Sequence, residues 1–162
     1  LKIASDIKRL FGNEFKGKIC ELGAGYGGQY LLLDKVFHID KYYMIDLPEV
    51  NDLIKKYLDF FHVKSQYYLS SIQDCEKYKF DFFISNYAFS ELPKNLQLHC
   101  LKTFISKSNN GYMIMNSGQL DSVYKNHISL DEIKKYLPKL QILKENPLTH
   151  KGNYTILWKN KN

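Results

Sequence analysis

Glu21-Leu22-Gly23-Ala24-Gly25-Tyr26-Gly27-Gly28 joins a carboxylate to a close run of glycines, directly after the apolar pair Ile19-Cys20. Glycines let a backbone approach a ligand closely and supply positive φ where a tight turn needs it. The subset Gly23-x-Gly25-x-x-Gly28 fits a dinucleotide fingerprint, in which an acid follows about 20 residues on, here Asp46. A dinucleotide lays its pyrophosphate on such a turn and on the helix N-terminus behind it. Glu21 would set negative charge beside that phosphate. A phosphate-free, cationic ligand suits Glu21 better. S-adenosylmethionine, with its ammonium and sulfonium, is such a ligand.

The remaining chemistry-bearing residues fall where strands are expected to end. Tyr42–Ile45 reads as a strand closed by Asp46, whose carboxylate can hold ribose hydroxyls or cap the helix that Pro48 opens. Leu47 lies between them. Ser70 and Ser71 follow a third strand, about Ser65–Leu69, as a ligand contact or a plain turn. Asn86 and Tyr87 follow a fourth, Phe80–Ser85. Glu91 and His150 are the candidates for a general base, since a hydroxyl is a weak nucleophile until its proton leaves. Each also has a plainer reading: a helix-end acid beside Pro93 for Glu91, a solvated loop tip for His150. Tyr26, Tyr87 and Phe89 offer either a stacking wall for a sugar face or ordinary core.

The elements that must position these residues alternate. Lys2–Phe11 is a helix with Ile3, Ile7 and Leu10 on one side, ended by Gly12 and Asn13. Lys18–Leu22 is the first strand and Gln29–Phe37 a helix. A helix runs from Pro48 towards Phe61, and another from Asn95 to Ser106. Asn109-Asn110-Gly111 reads as a turn before the strand Tyr112–Asn116. Ser129-x-x-Glu132 is a capping box that opens a helix to Leu137. Gln141–Lys144 and Tyr154–Trp158 are close enough in sequence to pair antiparallel. This predicts an open α/β sheet of seven strands, mostly parallel, with helices on both faces, a C-terminal antiparallel hairpin and one reversed edge strand. In such sheets ligands bind beyond the carboxyl ends of the strands.

The order of these elements resembles the class I, Rossmann-like S-adenosylmethionine-dependent methyltransferases along nearly the whole chain. Three blocks, Glu21–Gly28, Ile45-Asp46-Leu47-Pro48-Glu49-Val50 and Ile84–Leu92, resemble bacterial sugar O-methyltransferases. The resemblance implies S-adenosyl-L-methionine as cofactor, held by Glu21, Gly23, Ala24, Gly25, Tyr26, Gly27, Asp46, Leu47, Ser70, Ser71, Asn86 and Tyr87. It implies a carbohydrate or nucleotide-sugar acceptor, with Glu91 or His150 assisting. Amino-methylating relatives carry Asn/Asp-Pro-Pro-Tyr/Phe after the fourth strand. Asn86-Tyr87-Ala88-Phe89 has neither proline, which argues against that chemistry. The chain opens at Leu1 without a methionine. Residues 1–162 are therefore expected to be one catalytic domain, as it stands or cut from a longer chain whose upstream part would help build the acceptor pocket.

Composition narrows the alternatives. A chain of 162 residues with 44% hydrophobic and 25% charged residues suits one globular domain. No run approaches the ~20 apolar residues of a membrane span, and no signal peptide is visible. The net charge of +6 raises RNA as an acceptor. Yet Arg9 is the only arginine, and phosphate readers favour its bidentate guanidinium, so the charge reads mainly as a solvated lysine surface. Cys20, Cys75 and Cys100 form no Cys-x-x-Cys, so neither zinc nor a disulfide framework is expected, and the cytoplasm is the expected setting. A nicotinamide-binding module and a non-catalytic scaffold remain as further readings; Glu21 weighs against the first, and Glu21, Asp46 and the glycines together against the second.

Overall fold

The computed structural model describes residues 1–12, 15–63, 65–116 and 127–159. Its elements are α1 (Lys2–Phe11), β1 (Gly17–Leu22), α2 (Gly28–Val36), β2 (Ile39–Ile45), α3 (Pro48–Phe60), β3 (Tyr67–Ser70) and α4 (Ile72–Cys75). They continue with β4 (Phe82–Asn86), α5 (Ala88–Glu91), α6 (Lys94–Cys100), β5 (Asn110–Met115), α7 (Leu130–Tyr136), β6 (Gln141–Lys144) and β7 (Tyr154–Lys159). The seven strands make one sheet in the order β3-β2-β1-β4-β5-β7-β6. β3, β2, β1, β4 and β5 pair in parallel, while β7 runs antiparallel to both β5 and β6. The expected mostly parallel sheet with its terminal hairpin is therefore present. The reversed strand is not at the edge, however: β7 inserts between β5 and β6, and β6 takes the edge. Burial explains the order. β7 is almost wholly covered, with Ile156, Leu157 and Trp158 in the core, whereas three of the four β6 residues are exposed.

Side-chain alternation divides the core in two. Cys20, Leu22, Tyr43, Ile45, Phe83, Met113 and Trp158 face α6 and α7. Ile19, Tyr42, Met44, Phe82, Ile84 and Tyr112 face α1, α2 and α3. All three cysteines are free and buried in the first layer. Among the described residues no helix is long and apolar enough to cross a membrane.

Several local expectations shift. Asn13 lies outside the described residues. Asn110 and Gly111 already belong to β5 rather than to a turn, and Gly111 is required there because a Cβ would overlap the Trp158 ring. The helix expected at Asn95–Ser106 begins at Lys94 and widens into a π-helical turn over Leu101–Ile105. Ser71 caps α4 through a capping box with Asp74, the same device that opens α7 at Ser129 and Glu132.

Candidate functional site

Sheet order reverses between β1 and β4, because the chain leaves β3 at one edge and re-enters beside β1. At such a switch point the flanking loops diverge and leave a crevice. A cavity of about 450 Å³ opens there, within the range of small-molecule sites. Leu22 at the end of β1 with Gly23 after it, and Ile45 at the end of β2 with Asp46, Leu47 and Pro48 after it, form one side. Ser71, Ile72 and Gln73 close a second, and Ala88, Glu91, Leu92 and Leu96 a third.

The glycine turn is built against this cavity. Gly23 has φ +79°, and a Cβ there would collide with the Ala88 methyl. The N–H of Gly23 donates to the Ile45 carbonyl at 2.9 Å, tying the turn to β2. Asp46 braces the same turn: Oδ2 accepts from the Gly25 N–H and Oδ1 from the Leu47 N–H, both at 2.9 Å. It thus acts on the loop, in addition to lining the cavity. Each carboxylate oxygen keeps lone-pair capacity for a further donor.

Glu21 lies beneath the turn, on the α2 side of the sheet, and is 2% exposed. Tyr42 donates its hydroxyl to Oε2 at 2.8 Å and Gln29 its amide to Oε1 at 2.6 Å. Asn86 in turn donates to Gln29 at 2.7 Å. Burial raises the Glu21 carboxyl from 4.5 to about 8; the Tyr42 hydrogen bond opposes this and the nearby Asp46 charge adds to it. At pH 7 this favours the neutral acid over the carboxylate that the sequence suggests. The Asn86 Oδ1 is buried without a hydrogen-bond partner among the described residues. Asn86 is itself absent from the cavity lining.

The predicted residues separate into groups. Gly23, Asp46, Leu47, Ser71 and Glu91 line the cavity. Ala24, Gly25, Tyr26 and Gly27 form the turn above it, and Tyr26 packs edge-on against Tyr57 at 5.0 Å. Ser70 is buried at the end of β3. Glu91 ends α5 and is oriented by Asn116, which donates to Oε1 at 3.0 Å. His150 lies on the exposed β6–β7 loop, where Nδ1 meets the Lys151 carbonyl at 2.9 Å, and it is absent from the cavity lining. The stacking wall of Tyr26, Tyr87 and Phe89 does not form. Phe89 is fully buried in the core, and Tyr87 turns its hydroxyl to Glu145 at 2.7 Å. Beyond Leu22, Ile45, Pro48 and Ala88, which adjoin candidate residues, the lining includes Ile72, Gln73, Leu92 and Leu96, which the sequence does not single out. The Ser71-x-x-Asp74 pattern is a legible signal for Ile72 and Gln73, as the start of a helix; Leu92 and Leu96 carry only a core-like pattern.

Replacing Asp46 tests the bracing geometry. Asp46→Ala leaves the Gly25 N–H without its acceptor and is expected to loosen the turn while native circular dichroism persists. Loss of a charge-assisted bond corresponds to roughly 1.5–3 kcal/mol, or about tenfold or more in affinity for any ligand held here. Asp46→Asn, which keeps one acceptor oxygen, should lose less. Equal ligand affinity in all three proteins would reduce Asp46 to a surface acid.

No protein-family model and no curated protein matches this sequence. Solved structures do match it in fold. An O-methyltransferase family protein from Burkholderia thailandensis aligns with TM-score 0.69 at 8% identity, over 99% of this chain and 55% of that one. An S-adenosylmethionine-dependent methyltransferase from Clostridium acetobutylicum aligns with TM-score 0.63 at 13% identity, over 90% and 85% of the two chains. TrmK of M. capricolum, solved with S-adenosyl-homocysteine, aligns with TM-score 0.63 at 14% identity, over 98% and 68%. The fold is that of the Rossmann-like methyltransferases. The chain spans little more than half the length of the Burkholderia protein.

Proposed function

We propose that this protein is an S-adenosylmethionine-dependent methyltransferase. One observation carries the reading: the cavity at the switch point presents two carboxylates, Asp46 and Glu91, and among the described residues no lysine, arginine or histidine lines it. A pyrophosphate would meet only like charge there. A ligand with an ammonium, a sulfonium and a ribose meets acceptors, and its apolar parts meet Leu22, Ile45, Ile72, Leu92 and Leu96. The Clostridium protein is an S-adenosylmethionine-dependent methyltransferase and TrmK was solved with S-adenosyl-homocysteine, which supports the assignment. When bound, S-adenosylmethionine supplies a methyl activated for attack by an acceptor.

The chain's own task is then to hold the acceptor in line and to exclude water. For the acceptor we propose a sugar or glycan hydroxyl. The support is the resemblance of the three sequence blocks and the absence of the two prolines after Asn86; the Burkholderia protein, of an O-methyltransferase family, is in keeping with an oxygen acceptor. Glu91, held by Asn116 at the cavity wall, is the better placed proton acceptor; His150 is the second.

S-adenosylhomocysteine should raise the melting temperature, while NAD at equal concentration should not. At about 100 times Kd the stabilisation is about 2.7 kcal/mol, several degrees for a chain of this size. The reverse ranking would sink the methyltransferase reading. Labelled methyl transfer to nucleotide sugars, sugar phosphates and RNA then ranks acceptors, and Glu91→Gln should slow turnover by about 10²-fold at saturating cofactor. Methylation of RNA with no sugar accepted would overturn the carbohydrate assignment.

A further inference from the structure

Glu145 lies just past the end of β6, yet its side chain is fully covered. Its Oε1 accepts the Tyr87 hydroxyl at 2.7 Å, and its Oε2 accepts the Thr149 N–H and hydroxyl at 3.1 and 2.8 Å. Lys2 of α1 approaches Oε1 at 3.8 Å. Burial works against ionisation, but the bonds from Tyr87, Thr149 and Asn153 outweigh it and hold the carboxyl down at about 2. A charged carboxylate is thus kept under the β6–β7 loop, fastened to a residue at the end of β4.

Tyr87 is an unusual partner. Its φ is +67°, a conformation that costs a non-glycine residue free energy and persists only where the surroundings enforce it. Its N–H donates to the Ile114 carbonyl at 2.7 Å, and its carbonyl accepts from Ser90. The turn it makes launches α5. Ala88, the next residue, is the one pressed against Gly23, and Glu91 closes the same helix at the cavity wall.

We infer that Glu145 is a positioning residue for the cavity: by anchoring the Tyr87 hydroxyl it holds the strained turn that sets Ala88 against the glycine loop and Glu91 at the cavity wall. The inference rests on the reading of that cavity as the cofactor site. A residue that only tied the hairpin together would affect stability and nothing at α5.

The test measures S-adenosylhomocysteine affinity by calorimetry, amide hydrogen exchange over residues 88–91, and melting temperature. Glu145→Ala and Tyr87→Phe should each weaken affinity by about tenfold and speed exchange at α5. In affinity and α5 exchange the double variant should be no worse than Tyr87→Phe alone, which also removes the 3.0 Å contact of the hydroxyl with Thr149 Oγ1; the other bonds of Glu145, to Thr149 and Lys2, bear on melting temperature. Glu145→Gln keeps a carbonyl oxygen for Tyr87 but turns its NH2 to the Thr149 N–H, so it should recover part of the affinity and α5 protection while lowering the melting temperature. Tyr87→Gly removes the backbone strain, and in that background Glu145→Ala should leave affinity unchanged. A lower melting temperature with unaltered affinity and α5 exchange, or multiplied effects in the double variant, overturns the inference. If the wild-type protein does not bind S-adenosylhomocysteine, the cofactor reading fails, and the exchange data still judge the anchor.

Discussion

Gly23→Ala is expected to destabilise the protein by roughly 2–6 kcal/mol, the sum of a left-handed backbone penalty and an overpacked contact. Both terms are visible at this residue: φ is +79°, and a Cβ would overlap the Ala88 methyl. Against a total stability of about 5–15 kcal/mol this is a large loss. Two further variants separate the terms. Gly25 has φ +59° with nothing within 4 Å of a Cβ, so Gly25→Ala carries the backbone penalty alone. Ala88→Gly in the Gly23→Ala background removes the collision and keeps the penalty, so it should return the protein close to the Gly25→Ala level. Urea unfolding measures all three. If Gly23→Ala proves no worse than Gly25→Ala, the close approach of α5 to the glycine turn is wrong.

The second large effect is a pH dependence centred on Glu21. Its folded pKa, about 8, lies above the ordinary 4.5. Between those values the folded state holds a proton that the unfolded state has released. The contribution to stability is therefore complete below about pH 4.5 and is lost as pH rises towards and through 8. At about 1.4 kcal/mol per pH unit the whole swing is of order 5 kcal/mol. Glu21→Gln, a neutral neighbour for Tyr42 and Gln29 at every pH, should match the wild type near pH 5 and exceed it near pH 8. Glu132 and Glu145, both held near 2, lose their contributions only in acid below the ordinary range, so they do not confuse the comparison. Parallel stability curves for the two proteins from pH 5 to 8.5 would rule out a buried, protonated Glu21. On the cofactor reading, a cationic ligand above the turn would draw that proton off. Binding should then release protons, detectable as a buffer-dependent calorimetric enthalpy.

The residues that the sequence marks by local rules stand close to where those rules put them. Glycine spacing and the acid after Tyr42–Ile45 identify the turn and Asp46, because φ preference and strand periodicity act over a few neighbouring residues. Ser129 and Glu132 open α7 for the same reason, and Ser71 with Asp74 open α4 by a pattern equally readable. The alternation of strands and helices was sufficient for the sheet class, since each apolar stripe must find a layer to cover it. What the sequence alone left undecided depends on partners far along the chain. Whether β7 lies at the edge or inside is decided by which strand buries Trp158 against Gly111. Whether Glu21 is a carboxylate or a neutral acid is decided by Tyr42, Gln29 and the depth of the sheet, not by its own type. Tyr87 and Phe89 look alike as candidate wall residues, yet one turns to Glu145 and the other into the core. Nothing within a helical turn of either encodes that difference, because burial and hydrogen-bond pairing are properties of the assembled layers, and only the tertiary structure brings residues 87 and 145 together.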